Sequence, residues 1–215
     1  MHAETERHED PRAAGATPGT GGDTETDAGL RGRLVRVGVE LVNTEGAQAL
    51  SLREIARRAG VSHGAPRRHF PTHLDLLSAI ARQGFAELAA RVTAEDRETA
   101  GPRERITLLA RLYLDYAATR RGMYELMFRH DLLESGRLGL RETSLPLFAH
   151  LTGLVARVRP DADPAVVAGA LWANLHGIAQ LWHWGSLRLA TGGDDPAPLL
   201  VAALDAHLGP AEPAP

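Results

Sequence analysis

The chain has 215 residues, a formal net charge of −3 and no cysteine, which excludes disulfides, thiolate nucleophiles and cysteine-ligated metal sites. Hydrophobic residues make up 44% of it, so it can bury a core, but no uninterrupted apolar run is long enough to span a membrane. The acidic, polar N-terminus lacks the apolar segment of a secretory signal, and we expect a cytoplasmic protein without a membrane partner.

Charge and composition divide the chain. Residues 1–27 are acidic and contain almost no large apolar side chain, so we expect a disordered tail that cannot offset its ordering entropy by burial. Residues 28–80 carry eight arginines against four acidic residues, which favours a polyanionic partner for this segment alone. The proline-rich residues 209–215 are predicted to form a second flexible tail.

Between the tails every strong pattern is helical, and the sequence predicts an all-α fold with about nine helices. Ser51 and Glu54 have the spacing of a capping box, in which each side chain binds the other residue's backbone N–H group. Thr72 and Asp75 have the same spacing and are expected to open a helix of roughly 73–94.

The segment 51–77 predicts a helix-turn-helix. Ala56 allows close helix crossing, and Gly60 is placed where a helix ends in a residue with positive φ. Ser62 is expected to cap a second helix of about 62–69, whose small first residues and later arginines suit a DNA groove. Similar helix pairs occur in proteins that never touch DNA, but the basic segment around this one favours DNA binding.

These residues resemble the DNA-binding domain of the tetracycline-repressor-like (TetR) regulators. The likeness covers residues 34–77, in the strings TEGAQALSLREIA, RRAGVSHGAPRRHF and PTHLDLL. MYELMF at 123–128 and LWANLHG at 171–177 resemble a C-terminal domain with a Trp-x3-His-Gly signature. The resemblance implies a DNA-binding domain at 28–77, in three helices, and a helical ligand-binding and dimerisation domain at 78–208.

The resemblance also implies a function: a ligand-responsive regulator, a repressor, that binds a pseudo-palindromic operator in double-stranded DNA as a homodimer. Half-sites are expected about one DNA turn or slightly more apart. The expected effector is a small apolar or amphipathic molecule of unknown identity. The expected DNA-binding residues are Ser51, Arg53, Ser62, His63, Gly64, Ala65, Arg67, Arg68, His69, Thr72 and His73.

Three residues depart from the family pattern. Arg67 stands where members usually carry a tyrosine that supports a phosphate contact, and its charge suits the same role. Pro66 replaces a bulky apolar residue near the start of the second helix, where the loss of one backbone bond is tolerated. His73 replaces the usual lysine at the start of the next helix, so that its phosphate contact is expected to depend on pH.

In the C-terminal domain, Asp163-Pro164 and Asp195-Pro196 are typical of helix starts, predicting helices of about 164–190 and 196–208. The first helix is apolar nearly all round, so one face is expected to meet a partner subunit. The expected dimer residues are Leu171, Leu175, Ile178, Trp182 and Leu189. Ligand-binding candidates, which plain core packing would equally explain, are Tyr113, Tyr116, Met127, Phe128, Trp172 and His176.

The sequence predicts no catalytic residues, no metal site and no cofactor. It has no glycine-rich phosphate loop, no G-x-S-x-G elbow and no H-E-x-x-H pattern. The alternative to a DNA-reading regulator is a helical interaction or small-molecule-binding protein whose helix-turn-helix does not read DNA specifically.

Overall fold

The computed structural model describes residues 22–129, 131–132 and 139–210, with side chains from residue 29 onward. These residues contain ten α-helices with defined bounds and no strand. The all-α prediction is confirmed, and the predicted number of about nine helices is close to the observed ten. The helices are α1 (Gly22–Glu45), α2 (Leu52–Arg58), α3 (Ala65–His69), α4 (His73–Glu95), α5 (Pro102–Thr119), α6 (Arg121–Met127), α7 (Leu140–Val158), α8 (Pro164–His183), α9 (Ser186–Thr191) and α10 (Ala197–Leu208). None of them is both long and apolar enough to cross a lipid bilayer.

The first helix begins at Gly22, inside the segment 1–27 that the sequence assigns to a disordered tail. The prediction is therefore corrected for residues 22–27, whose backbone is helical. The physical reason is that extending an existing helix adds one hydrogen bond per residue fixed, so the last part of a polar segment can continue it. The tail predictions for residues 1–21 and 211–215 lie outside the described residues.

The turn of the helix-turn-helix has the predicted geometry. The Val61 N–H group donates to the Ala56 carbonyl at 3.0 Å and the Gly60 N–H group to the Arg57 carbonyl at 3.2 Å, which is the Schellman pattern of a helix end. Gly60 has a φ of 68°, a left-handed conformation that favours glycine. These bonds end α2 and turn the chain towards α3.

The helix starts around this turn agree only in part with the sequence. The Ser51 hydroxyl accepts from the Glu54 N–H group at 3.1 Å, but the Glu54 carboxylate binds arginines instead of reaching back, so this capping box is half formed. The box of Thr72 and Asp75 is complete and opens α4 as predicted. The second helix, expected from residue 62, begins at Ala65 without a side-chain cap, because Pro66 is suited to the first turn.

The predicted helix of 164–190 is two helices. Asp163 caps α8 through the Ala165 and Val166 N–H groups, as expected. The helix then ends at His183, and Gly185, with a φ of 79°, turns the chain into the short α9. The last helix starts at Ala197, whose N–H group donates to the Asp195 carboxylate at 2.9 Å.

Two hydrophobic cores organise the packing. The first joins α1, α2, α4 and α6 and contains Leu41, Ile55 and Leu77. The second joins α5, α7, α8 and α10 and contains Ile106, Val155 and Leu171. Tyr113 on α5 packs against both cores and so lies at their junction.

Helix α6 approaches the backbone of α1 closely at Gly122. A Cβ atom at Gly122 would collide with the Val42 carbonyl oxygen, which is backbone and cannot move aside like a side chain. The same helix buries Met123, Leu126 and Met127 completely on its other faces. Glycine at position 122 therefore lets this seven-residue helix contact the backbone of α1 while its other faces stay in the core.

We expect Gly122→Ala to lower the free energy of unfolding by roughly 1–3 kcal/mol, because the added methyl forces α6 away from α1. Gly153 is the matched control: it is exposed on α7, and a Cβ atom there meets nothing within 4 Å. Gly153→Ala should raise stability by up to about 1 kcal/mol through helix propensity. Urea denaturation of both variants measures the difference, and equal effects would contradict the tight crossing.

Candidate functional site

The third helix presents unpaired positive charge to solvent. Arg67 and Arg68 are exposed on α3 and, within the described part of the chain, neither has an ion-pair partner. Arg57 and Arg58 of α2 are different, since Glu54 lies 2.7 Å from Arg57 and 2.6 Å from Arg58. The positive charge of the motif is thus concentrated on the helix that the sequence assigns to the DNA groove.

Glu54 is held in its charged form by these arginines. Hydrogen bonds from Arg57 and Arg58 lower the pKa of the Glu54 carboxyl to about 2. Arg58 also pairs with Glu45 at the end of α1. The ion pairs tie α2 to α1 on the surface and leave Arg53 as the α2 arginine without a charge partner among the described residues.

His73, expected to contact phosphate, has an internal partner. Its Nε2 atom lies 3.1 Å from the Leu50 carbonyl oxygen and therefore carries the proton that it donates. In the neutral ring Nδ1 is then an acceptor, which a phosphate oxygen cannot use. The hydroxyl of Thr72 is also occupied, since it donates to the Asp75 carboxylate at 2.7 Å and accepts from the Asp75 N–H group at 3.2 Å. Both side chains fix the start of α4.

The remaining predicted DNA-binding residues surround α3. Ser62, His63 and Gly64 are exposed ahead of it, so the backbone there is open to close approach. Ala65 and His69 are partly buried, and His69 has a partner within the chain. The exposed members of the predicted set are Ser51, Arg53, Ser62, His63, Gly64, Arg67, Arg68, Thr72 and His73.

A cavity of about 470 Å³ lies between α4, α5, α7 and α8. Of the predicted ligand residues, Tyr113, Phe128 and Trp172 line it. No charged side chain is among its described lining residues. Further lining residues that the sequence analysis missed are Phe85, Leu88, Val92, Ile106, Leu109, Phe148 and Leu151, which follow an ordinary helical core pattern and carry no signal of their own.

Tyr116 and Met127 were predicted to bind ligand and do not line the cavity. Both are completely buried in the first core. The Tyr116 hydroxyl donates to the Glu87 carboxylate at 3.4 Å, and burial raises the pKa of Tyr116 well above its ordinary value. The helical spacing that groups Tyr116 with Tyr113 does not say which side chain meets the core and which meets the cavity.

His176, the remaining candidate, lies behind the cavity wall in a polar cluster, defined as Tyr113, Tyr124 and His176. Its Nδ1 atom lies 2.9 Å from the Tyr113 hydroxyl and 2.7 Å from the Tyr124 hydroxyl, and the two hydroxyls are 3.0 Å apart. Burial raises the pKa of Tyr124 to about 12 and lowers the pKa of His176. All three groups are therefore neutral near pH 7.

The structure also locates the expected dimer residues. Leu171, Leu175 and Ile178 are buried within the protomer, so they offer no surface to a second subunit and are removed from the proposed interface. Trp182 is partly buried, and Leu189 is 89% exposed. A different face of α8, continued by Trp184 just after the helix end, is here called the α8 stripe. Its exposed or partly exposed residues are all apolar or small: Val166, Ala170, Ala173, Gly177, Leu181 and Trp184.

The fold and these sites define a helix-turn-helix protein with a cavity in a helical C-terminal domain. Residues 34–80 match the bacterial regulatory proteins of the tetR family, and residues 106–207 match the tetracyclin repressor-like C-terminal domain. The chain belongs to the TetR family.

Individual relatives show the same likeness. Over 101 residues the chain is 30% identical to the HTH-type transcriptional activator FasR of Mycolicibacterium smegmatis, an alignment that covers 47% of this chain and about half, 46%, of that relative. A protein of unknown function from Rhodococcus sp. RHA1 has a similar structure (TM-score 0.69, 29% identity, 83% of this chain and 93% of that one). The multidrug binding protein EbrR, solved with ethidium, is also similar (TM-score 0.59, 27% identity, 83% and 98%).

We expect Arg67→Ala and Arg68→Ala each to weaken DNA binding by roughly 1–3 kcal/mol if the lost contact is bidentate to a base. Arg157→Ala removes the same charge from an exposed position on α7 and should leave affinity nearly unchanged. Gel-shift titration measures all three, with a duplex that the wild-type protein selects from a random-sequence pool. Wild-type affinity in both α3 variants would contradict the assignment.

Burial of His176 predicts a pH-dependent stability. Its native pKa lies below the unfolded value of about 6.5, so the unfolded chain takes up the proton first as pH falls. Protonation of the unfolded chain therefore leaves the free energy of unfolding unchanged above about pH 6.5 and lowers it increasingly below that pH. The stability advantage of the wild type over His176→Gln should shrink between about pH 7.5 and 5.5. Urea melts across this range test it, and a constant difference would contradict a buried neutral ring.

Proposed function

We propose that the protein is a ligand-responsive regulator of transcription. It binds a pseudo-palindromic operator as a homodimer, with α3 of each subunit in the major groove. The observation that carries the proposal is the separation of two sites in one chain: exposed, unpaired arginines on α3, and an uncharged cavity in the C-terminal helices. Its place of action is then the cytoplasm, where bacterial DNA lies.

A contiguous set of contacts supports coupling between the two sites. Tyr124 on α6 bonds Tyr113, which lines the cavity, and His176 on α8. Two residues before Tyr124, the backbone of α6 at Gly122 abuts Val42 of α1. A ligand that displaces the polar cluster would move α6 and thereby tilt α1 and the reading head. A hundredfold change in DNA affinity requires a coupling free energy of about 2.7 kcal/mol.

The dimer is proposed to form through the α8 stripe. Its exposed hydrophobic side chains include Val166 (66% exposed) and Trp184 (68%), and Val201 on the neighbouring α10 is 55% exposed. Gly177, at the middle of the stripe, has nothing within 4 Å of where a Cβ atom would be, which leaves room for a close helix. Apolar surface of this extent on one face favours association with an identical face across a two-fold axis.

The sign of regulation is a separate question. The sequence analysis predicts a repressor, whereas the curated relative FasR is named an activator. Both modes use the same DNA-binding surface, so the geometry favours neither. The repressor assignment stays a prediction, to be tested by transcription in vitro.

The decisive experiment is a footprint on the selected duplex at increasing salt. A regulator should protect two half-sites about one turn apart, with an affinity that falls steeply as salt rises. A shallow salt dependence without a defined footprint would instead favour the alternative, a helical binding protein that does not read DNA. Transcription in vitro from a promoter that carries the duplex then separates repression from activation.

For the dimer, we expect Leu181→Glu to yield folded monomers, because a symmetric interface buries the added carboxylate twice. Leu74→Glu is the matched control, since Leu181 is 39% exposed and Leu74, outside the stripe, is 37% exposed. Light scattering gives the molar mass and circular dichroism the folding. A Leu181→Glu dimer of wild-type mass, or equal dissociation by the control, would contradict the proposed face.

A further inference from the structure

The polar cluster at the cavity wall determines which hydrogen bonds a ligand can make. Tyr113 and Tyr124 each carry one hydroxyl proton, and both hydroxyls lie within hydrogen-bond distance of the Nδ1 atom of His176. A phenol O–H is more acidic than a neutral imidazole N–H, so the phenols donate and Nδ1 accepts. The ring proton then resides on Nε2. Nδ1 has a single lone pair, so one hydroxyl donates to it and the other donates to the neighbouring phenol oxygen, 3.0 Å away. Both hydroxyl protons are thus used inside the cluster.

Tyr113 lines the cavity, and a ligand that reaches its hydroxyl group there meets lone pairs but no free proton. The Tyr113 oxygen accepts at most one hydrogen bond within the cluster, from the Tyr124 hydroxyl, so at least one of its two lone pairs remains for a ligand. Ser144 supplies the other hydroxyl among the described lining residues, on the α7 side.

The rest of the lining selects against charge. The described cavity wall has no carboxylate to pair a cation and no arginine or histidine to pair an anion. Burying an unpaired charge is far more costly than burying a neutral group of the same shape. Five aromatic side chains line the cavity and favour flat apolar molecules: Phe85, Tyr113, Phe128, Phe148 and Trp172.

We propose that the effector is a neutral, largely apolar molecule that donates one hydrogen bond, from a hydroxyl or N–H group, to the Tyr113 oxygen. The proposal rests on the proposed function in that it takes this cavity as the effector site. Two residues of the Trp-x3-His-Gly sequence take part, because Trp172 lines the cavity and His176 accepts a tyrosine hydroxyl behind its wall. In this arrangement the ligand hydrogen-bonds Tyr113, the same side chain that Tyr124 hydrogen-bonds.

The test uses four probes on one biphenyl scaffold and the full-length, DNA-free protein. The probes are 4-phenylphenol, its methyl ether, 4-phenylbenzoate and 4-phenylbenzylammonium. Calorimetric titration should show that the phenol binds about tenfold more tightly than the ether, which lacks the donor. The anion and the cation should bind at least about a hundredfold more weakly than the phenol.

Two variants assign the donor site. Tyr113→Phe should bring the phenol and the ether to within about twofold of each other, whereas Ser144→Ala should keep the tenfold preference. Circular dichroism and a thermal melt check that both variants fold. A charged probe that matches the phenol, a preference that survives Tyr113→Phe, or no binding by any probe would each overturn the proposed ligand class.

A separate measurement keeps this inference distinct from the proposed function. The phenol is added to the complex of wild-type protein and selected duplex in a gel shift. Phenol binding by calorimetry without an effect on DNA affinity would contradict the ligand-responsive function and leave the ligand class standing. Sequence-specific DNA binding with a charged probe as the preferred ligand would do the reverse.

Discussion

The position of α6 depends on one backbone contact, the approach of Gly122 to the carbonyl oxygen of Val42. Because no side chain intervenes, α6 lies close enough to α1 for its other faces to fill the first core with methionine and leucine. The same placement brings Tyr124 to the junction of the two cores, where it bonds Tyr113 and His176. A tightly packed contact of this kind transmits a displacement rather than absorbing it.

The two ends of the molecule differ in electrostatics. At the end that contains the helix-turn-helix, Glu45 and Glu54 pair with Arg57 and Arg58 of α2, so the exposed charge comes from Arg53, Arg67 and Arg68. The cavity end excludes charge from its described lining, and its polar cluster is neutral. Charge is therefore segregated from the cavity, so that a neutral ligand in the cavity has no direct charge–charge interaction with a polyanion at α3.

Local signals in the sequence predict local structure well here. Gly60, Asp163 and the pair of Thr72 and Asp75 act on neighbouring backbone, so their roles follow from spacing alone. Partners that are distant in sequence do not follow in the same way. His73 binds a carbonyl group 23 residues away, and no pattern within α4 indicates that bond. The cavity could not be predicted from the sequence for the same reason. Its wall is assembled from four helices, and each of them taken alone has the apolar pattern of an ordinary core helix.

The face of α8 shows the same limit and its consequence. The sequence periodicity shows that α8 is apolar nearly all round, but it does not show which face of the helix packs on the protomer's own core. In the structure that face contains Leu171 and Leu175, which are buried. Trp172 lines the cavity and His176, one turn later, lies behind its wall, while the partly exposed Gly177 belongs to the α8 stripe. One turn of helix thus serves both proposed sites. Since coupling is reciprocal, a ligand that shifts this turn alters the subunit contact, and dimerisation alters ligand affinity by the same factor.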